Sequence, residues 1–231
     1  MTADDLQNVL ALDSSTSVLK LGLQFQSDRM VKSGEEVEQS HGQMIIRKIQ
    51  NLLASASLTI DQVNAIVVCT GPGSFTGLRI GLAAAKGIAV ANDIPVVGVS
   101  LFEIAAQKLS RRPDPVTVLV PFIRDEYFCC RVVGGNFQTS DIATVSLPEI
   151  PAMLAEREVA TIGVTSADGI GVAANGHKLE PIEYDCSDLL LLGLAQLAAG
   201  RHADLSELEP LYLMKSQAEI RFEKRQQKGN T

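Results

Sequence analysis

The chain opens with two apolar runs of different texture. Residues Val9 to Asp13, VLALD, are apolar almost without a break, the mark of a strand covered on both faces. Residues Val18 to Phe25, VLKLGLQF, alternate instead. Leu19, Leu21, Leu23 and Phe25 share one side, and Val18, Lys20, Gly22 and Gln24 the other. The SSTS between the runs reads as a turn, and QSD turns again into RMVKSGEEV, so the opening segment predicts three strands in a meander.

From about His41 to Ser57 the period changes to that of a helix. Ile45, Ile46, Ile49, Leu52, Leu53 and Ala56 share one face, predicted to pack on the sheet, while Met44 falls outside that arc as a candidate for a second, exposed apolar contact. AIVVC (Ala65 to Cys69) is short and rich in β-branched residues, as a buried parallel strand should be. After it come the stretch TGPGSFTGLRIG (Thr70 to Gly81), a helix from about Thr76 to Ala91, a strand IPVVGV and a helix SLFEIAAQKL.

At Arg111-Arg112-Pro113-Asp114-Pro115 two prolines and a charge cluster halt that helix, which divides the chain into residues 1–111 and 112–231. The opening order then recurs: VTVLVPFI, EYFCCRVV, a turn at Gly134-Gly135-Asn136, a third strand near Phe137 to Val145, a helix from about Leu147 to Arg157 and a strand VATIGV. Element order, not identity, carries the expectation of two lobes built alike. Residues Ser166 to Gly176 read as loop, Ser187 to Arg201 as a helix, and the chain after Met214 as a charged tail.

Composition narrows the classes. At 46% hydrophobic and 20% charged, 231 residues bury a large core as one domain or two lobes. A formal charge of -7 and a pI near 5.0 leave the chain without the cationic field that binds phosphate backbones. No apolar run approaches the roughly 20 residues that span a bilayer. The start, MTADDLQNVLALD, is acidic and lacks the basic region of a secretory signal, so a cytoplasmic protein is expected. Cys69, Cys129, Cys130 and Cys186 are then expected to be reduced and buried; no CxxC spacing occurs, and the adjacent pair points to opposite faces of a strand.

The glycine stretch fits none of three familiar loops. A Walker loop needs its second glycine one place earlier and a lysine after it; the dinucleotide fingerprint needs one residue fewer between Gly73 and Gly77; a nucleophile elbow needs glycines where Ser74 has Pro72 and Thr76. What remains is a turn on Pro72 and Gly73 leading into a helix capped by Ser74 or Thr76. Its amino end is either an anion site with Arg79 one turn in, or simply a capped helix. Gly77, Gly81, Ala84, Ala85 and Ile88 form a ridge of small residues, and glycine inside a helix costs about 1 kcal/mol against alanine. A second backbone is therefore expected to come close, from the same lobe or from another subunit.

TGPGSFTGLRIGLAAAKGIA, with AIVVC before it and IPVVGVSLFEIAA after it, resembles the signature of the TsaB family, also called YeaZ; it carries Gly71, Pro72, Gly73, Ser74, Phe75, Thr76, Gly77, Arg79 and Gly81. The similarity extends to LALDSSTS, to His41 at the opening of the first helix and to EPLYLMK (Glu209 to Lys215). The resemblance implies an α/β protein of the two-lobed actin, Hsp70 and sugar-kinase architecture, ribonuclease H-like, with duplicated mixed β-sheets flanked by helices. It implies a non-catalytic activating subunit of the bacterial complex that installs threonylcarbamoyl on the adenosine beside the anticodon. That subunit binds TsaD as a heterodimer, TsaE joins TsaD in a larger complex, and tRNA is met only through the complex. A homodimer is the pairing implied for the protein alone. The contact carries over to His41, Met44, Ile45 and Lys48 on the first helix and to Thr76, Leu78 and Leu82 around the second. No cofactor, metal or membrane is implied.

In one place the chain departs from the family. Relatives place DARxxEVY after the strand that opens the second lobe, and here PFIRDEYFCCRV keeps Arg124 and Tyr127 but displaces the acid to Asp125 or Glu126. Active members of the superfamily clamp phosphates between two hairpin turns. The first turn here, Asp13-Ser14-Ser15-Thr16, retains an acid and hydroxyls; the second, Ile123-Arg124-Asp125-Glu126, has no glycine and two acids that repel phosphate, so a degenerate nucleotide site is expected. His41, His177 and His202 are far apart and lack metal-pair spacing. The alternative reading, a small ATP-binding kinase or acyltransferase, rests on the Asp13–Thr16 turn, and a peptidase finds no triad spacing.

Overall fold

A computed structural model of the chain describes residues 6–26, 29–36, 41–123, 125–156, 158–162 and 180–211. The first sheet comprises β1 (Val9–Asp13), β2 (Val18–Phe25), β3 (Arg29–Glu36), β4 (Ala65–Gly71) and β5 (Val96–Ser100), in the order β3-β2-β1-β4-β5. Strand β2 runs antiparallel to β1 and β3, whereas β4 is parallel to β1 and β5 to β4. The second sheet comprises β6 (Val116–Ile123), β7 (Glu126–Val132), β8 (Ala143–Ser146), β9 (Glu158–Ile162) and β10 (Glu180–Ile182), in the order β10-β9-β6-β7-β8. Both sheets follow one plan: a meander of three strands, then two strands added in parallel beside the first. The repetition expected from element order is present as topology.

Strand β1 is buried along its whole length because both faces are covered. Leu10 and Leu12 join Leu19, Leu21 and Leu23 of β2 under α1 (His41–Ser55) and α2 (Phe75–Asn92). Val9 and Ala11, half a period away, face a second cluster with Val67, Cys69, Val97 and Val99, α3 (Leu101–Lys108), β6 and α5 (Cys186–Ala198). The two helices of this inner layer join the halves. Helix α3 follows β5 and lies between the sheets, touching β4 and β5 as well as β6 and β7, whereas α5 follows β10 yet lies on β1, β2, β4 and β5. Two glycines let α5 lie flush: a Cβ on Gly22 would meet Cys186, and one on Gly193 would meet Val67. A third, smaller cluster joins Leu119, Tyr127, Cys129, Val145 and Val159 to Ile150 at the start of α4 (Ile150–Glu156).

Beyond α5 the chain returns to the first sheet and runs along its edge. The Ala203 amide donates to the Val96 carbonyl at 2.9 Å, Leu208 is buried over Gly98, and the Leu211 amide donates to the Thr70 carbonyl at 2.8 Å.

The second half departs from its expected boundaries. Its third strand is confined to β8, because the polar run Gln138 to Asp141 folds as a 3-10 turn over Thr139–Asp141. The following helix opens with a 3-10 turn over Leu147–Glu149, and α4 is short. Strand β10 escaped prediction, since EPI is too short to show alternation. The loop read over Ser166 to Gly176 and the tail after Met214 lie outside the described residues. All four cysteines are buried.

Candidate functional site

The period of β1 that sends Val9 and Ala11 inward also turns Asp13 inward, where it is 0% exposed. Its carboxylate is occupied by the protein itself. Oδ1 accepts from the Ser15 amide at 2.8 Å, and Oδ2 accepts from the Tyr184 hydroxyl at 2.8 Å. Lys20, directly opposite Asp13 in the β1–β2 register, brings its Nζ to 3.5 Å of Oδ2 and to 3.8 Å of the Tyr184 ring centroid. Burial pushes the Tyr184 hydroxyl well above its usual range, and the Asp13 charge adds to the effect. The thiols of Cys69 and Cys186 are raised by the same two causes in the same order.

The other members of the turn also face the chain's own atoms. Ser14 Oγ donates to the Gly77 carbonyl at 2.8 Å, and the Ser15 carbonyl accepts from the Ser74 amide at 2.7 Å. Thr16 Oγ1 closes a local turn with the Val18 amide at 3.2 Å and carbonyl at 3.0 Å. Ser15 Oγ is buried without a hydrogen-bond partner. Asp13, Ser14, Ser15 and Thr16 are thus brought together, with both carboxylate oxygens of the acid engaged and the two serines buried. In the second half Asp125 and Glu126 are exposed, and the Asp125 carbonyl accepts from the Leu147 amide at 2.7 Å; Arg124 lies outside the described residues. Tyr127 is buried in the small cluster, its hydroxyl raised by burial and then by Asp125. Among the described residues no three His, Cys, Asp or Glu side chains group to hold a metal ion.

The glycine stretch joins β4 to α2 through Gly71, whose φ of +95 belongs to the region glycine favours, and a cis Gly71–Pro72 bond. Ser74 caps α2, its Oγ accepting from the Gly77 amide at 3.2 Å. The ridge of small residues receives the β1–β2 turn. A Cβ on Gly77 would strike the Ser14 carbonyl oxygen, and one on Gly81 the Ser14 hydroxyl. The backbone that the glycines admit is therefore intramolecular, which corrects the alternative of a foreign chain lying against them.

Helices α1 and α2 pack side by side on the outer face of the first sheet. Of the residues expected at a partner contact, Ile45, Leu78 and Leu82 are buried within this chain at 2%, 3% and 3% exposure. Met44 and Lys48 are half-buried, Thr76 is exposed, and His41 opens α1. Ile46, placed by periodicity on the core face, is 46% exposed. The outward face of α2 carries Phe75, Arg79, Ala83, Gly87 and Val90, the last 71% exposed, with the Arg79 guanidinium 3.9 Å over the Phe75 ring. Spacings of four, four, four and three mark this stripe in the sequence. It was masked because α2 is apolar on its core side as well. At the far end of α5 from Asp13, Phe137, Leu192 and Arg201 line a cavity of about 360 Å³ between α3 and α5.

Comparison with known proteins follows the same outline. Residues 33–139 match the family described as TsaD: tRNA N6-adenosine threonylcarbamoyltransferase. Over 222 residues the chain is 27% identical to the tRNA threonylcarbamoyladenosine biosynthesis protein TsaB of Escherichia coli K12, covering 89% of this chain and 94% of that one. Over 128 residues it is 32% identical to TsaB of Haemophilus influenzae, covering 53% of this chain and 54% of that one. The solved structure of YeaZ from Pseudomonas aeruginosa superposes with a TM-score of 0.65 at 22% identity, covering 88% of this chain and 100% of that one. A second Pseudomonas aeruginosa structure, described as similar to peptidase YEAZ, gives a TM-score of 0.67 at 24% identity, covering 90% and 100%. The structural likeness speaks to fold.

Two sheets of one topology, joined through one hydrophobic interior, define a two-lobed α/β protein with the fold of the YeaZ structures. Within that class the sequence is similar to proteins named TsaB, over nearly the whole chain for the Escherichia coli protein and over about half of it for the Haemophilus influenzae one.

Proposed function

We propose that this protein is a non-catalytic, activating subunit of tRNA threonylcarbamoyladenosine synthesis that works by binding a TsaD partner through α1 and α2. The observation that carries the reading is the pairing of two surfaces on the first lobe. The outer stripe from Phe75 to Val90, with Ile46 beside it, offers exposed apolar area on two packed helices. The turn that would serve a nucleotide spends its carboxylate on Lys20, Tyr184 and the Ser15 amide. Relatives named for tRNA threonylcarbamoyladenosine biosynthesis support the pathway, and the match of residues 33–139 to the TsaD family is consistent with pairing between related subunits. In this reading residues 1–111 carry the contact, Met44, Lys48 and Thr76 flank it, and Ile45, Leu78 and Leu82 support it from beneath. TsaE joins through TsaD, and tRNA meets the assembly rather than this chain.

Mixing the protein with TsaD is expected to give one heterodimer peak by light scattering. Two monomer peaks migrating independently at micromolar concentration would sink the proposal. Calorimetry of the lone chain with ATP and magnesium is expected to show no binding. Submillimolar binding abolished by Asp13→Ala would favour the ATP-dependent enzyme instead.

A further inference from the structure

We propose that Lys20 and Tyr184, closing on the buried carboxylate of Asp13, form a latch that holds the two halves of the molecule in one fixed arrangement. Tyr184 stands at the crossing point, between β10 of the second sheet and α5, which lies on the first. Its hydroxyl donates to Asp13 at the end of β1, and its ring receives the Lys20 ammonium from β2. The Asp13 carboxylate is fully buried, so removing either the hydroxyl or the ammonium leaves a buried charge with fewer partners. Each of the three side chains therefore depends on the other two.

The residues that follow reinforce the joint. Asp185 accepts from the Lys32 ammonium of β3 at 2.7 Å and caps α5 by accepting from the Ser187 amide at 2.6 Å. Asp188 pairs with Lys108 at the end of α3 at 2.8 Å. Cations from β2, β3 and α3 thus converge on the first turn of α5 and the residues just before it. Gly22 lets Cys186 rest directly on β2, so the crossing has no slack. This geometry is independent of the choice of partner.

Tyr184→Phe removes only the hydroxyl, and Lys20→Met only the ammonium. Hydrogen exchange of the full-length chain, read by mass spectrometry, tests the latch through reciprocity. Tyr184→Phe should raise exchange at least tenfold in peptides covering 13–20, in the other half of the chain from the mutation. Lys20→Met should do the same for peptides covering 183–190. Segments in α1 and α4 should stay within twofold of the parent. Exchange that rises only beside the mutated residue, or evenly through the molecule, overturns the latch, as does no change in either variant. Should one variant fail to fold, the other still decides the matter, and Lys32→Ala, outside the buried trio, should leave 13–20 unchanged.

Discussion

Ser14 gives its hydroxyl to the Gly77 carbonyl and lies where a side chain on Gly81 would have to go. Gly81→Leu is therefore expected to lower stability by about 1–3 kcal/mol through overpacking, seen as a lower thermal midpoint, with any loss of partner binding following from that. A normal midpoint with weakened binding would place the ridge at the surface. Phe75→Ala should behave in the opposite way, because the ring is 40% exposed. Its midpoint should stay within about 0.5 kcal/mol of the parent while TsaD affinity falls by roughly tenfold, measured by calorimetry. The glycine spacing made a close backbone approach legible in the sequence, but not which backbone, since Ser14 and Gly81 are brought together only when β1 and β4 pair in one sheet. Lys20 carried a fainter signal as the one charge in an alternating apolar strand. Its partner Tyr184 lies in the other half of the chain, where no local pattern points back to it.

At the scale of the element, α5 shows how a cap and an ion pair combine. Burial opposes ionisation of Asp185, but hydrogen bonds from Lys32 and from Ser187 outweigh it and bring the carboxyl down to about 2. An unfolded aspartate titrates near 3.9, so the folded value is the lower one and the stabilisation is complete above about pH 4. It is lost as the pH falls toward 2. The side chain is 49% exposed, so the pair with Lys32 contributes at most about 1 kcal/mol, with the cap worth about as much again. Asp185→Asn should flatten the acid limb of stability between pH 4 and 2, followed by circular dichroism; an unchanged limb would mean the ion pair contributes nothing. Element types came through clearly in the sequence wherever periodicity was long, as in β2, α1 and α2. It blurred the bounds of β8 and missed β10, where three or four residues are held by neighbouring strands rather than by their own pattern.

For the whole molecule, the doubling of one plan was readable because the order of meander, helix and strand survives without residue identity. The crossing of α5 onto the first sheet was not, since a helix that is apolar on most sides does not announce which sheet it will cover. That crossing makes the break at Arg111–Pro115 a division of the chain more than of the core, for one hydrophobic cluster runs from Val9 through Phe102 to Val118 and Leu197. The heterodimer expected with TsaD would meet a body whose two sheets already share an interior.

The segment that sews Val96 and Thr70 to Ala203 and Leu211 has a practical bearing. Strand β5 is the last of its sheet, and bare strand borders invite the strands of neighbouring molecules. A chain cut short before Ala203 would uncover that border together with the hollow filled by Leu208, and should clump. A chain cut just after Leu211 keeps its hem and should stay dispersed.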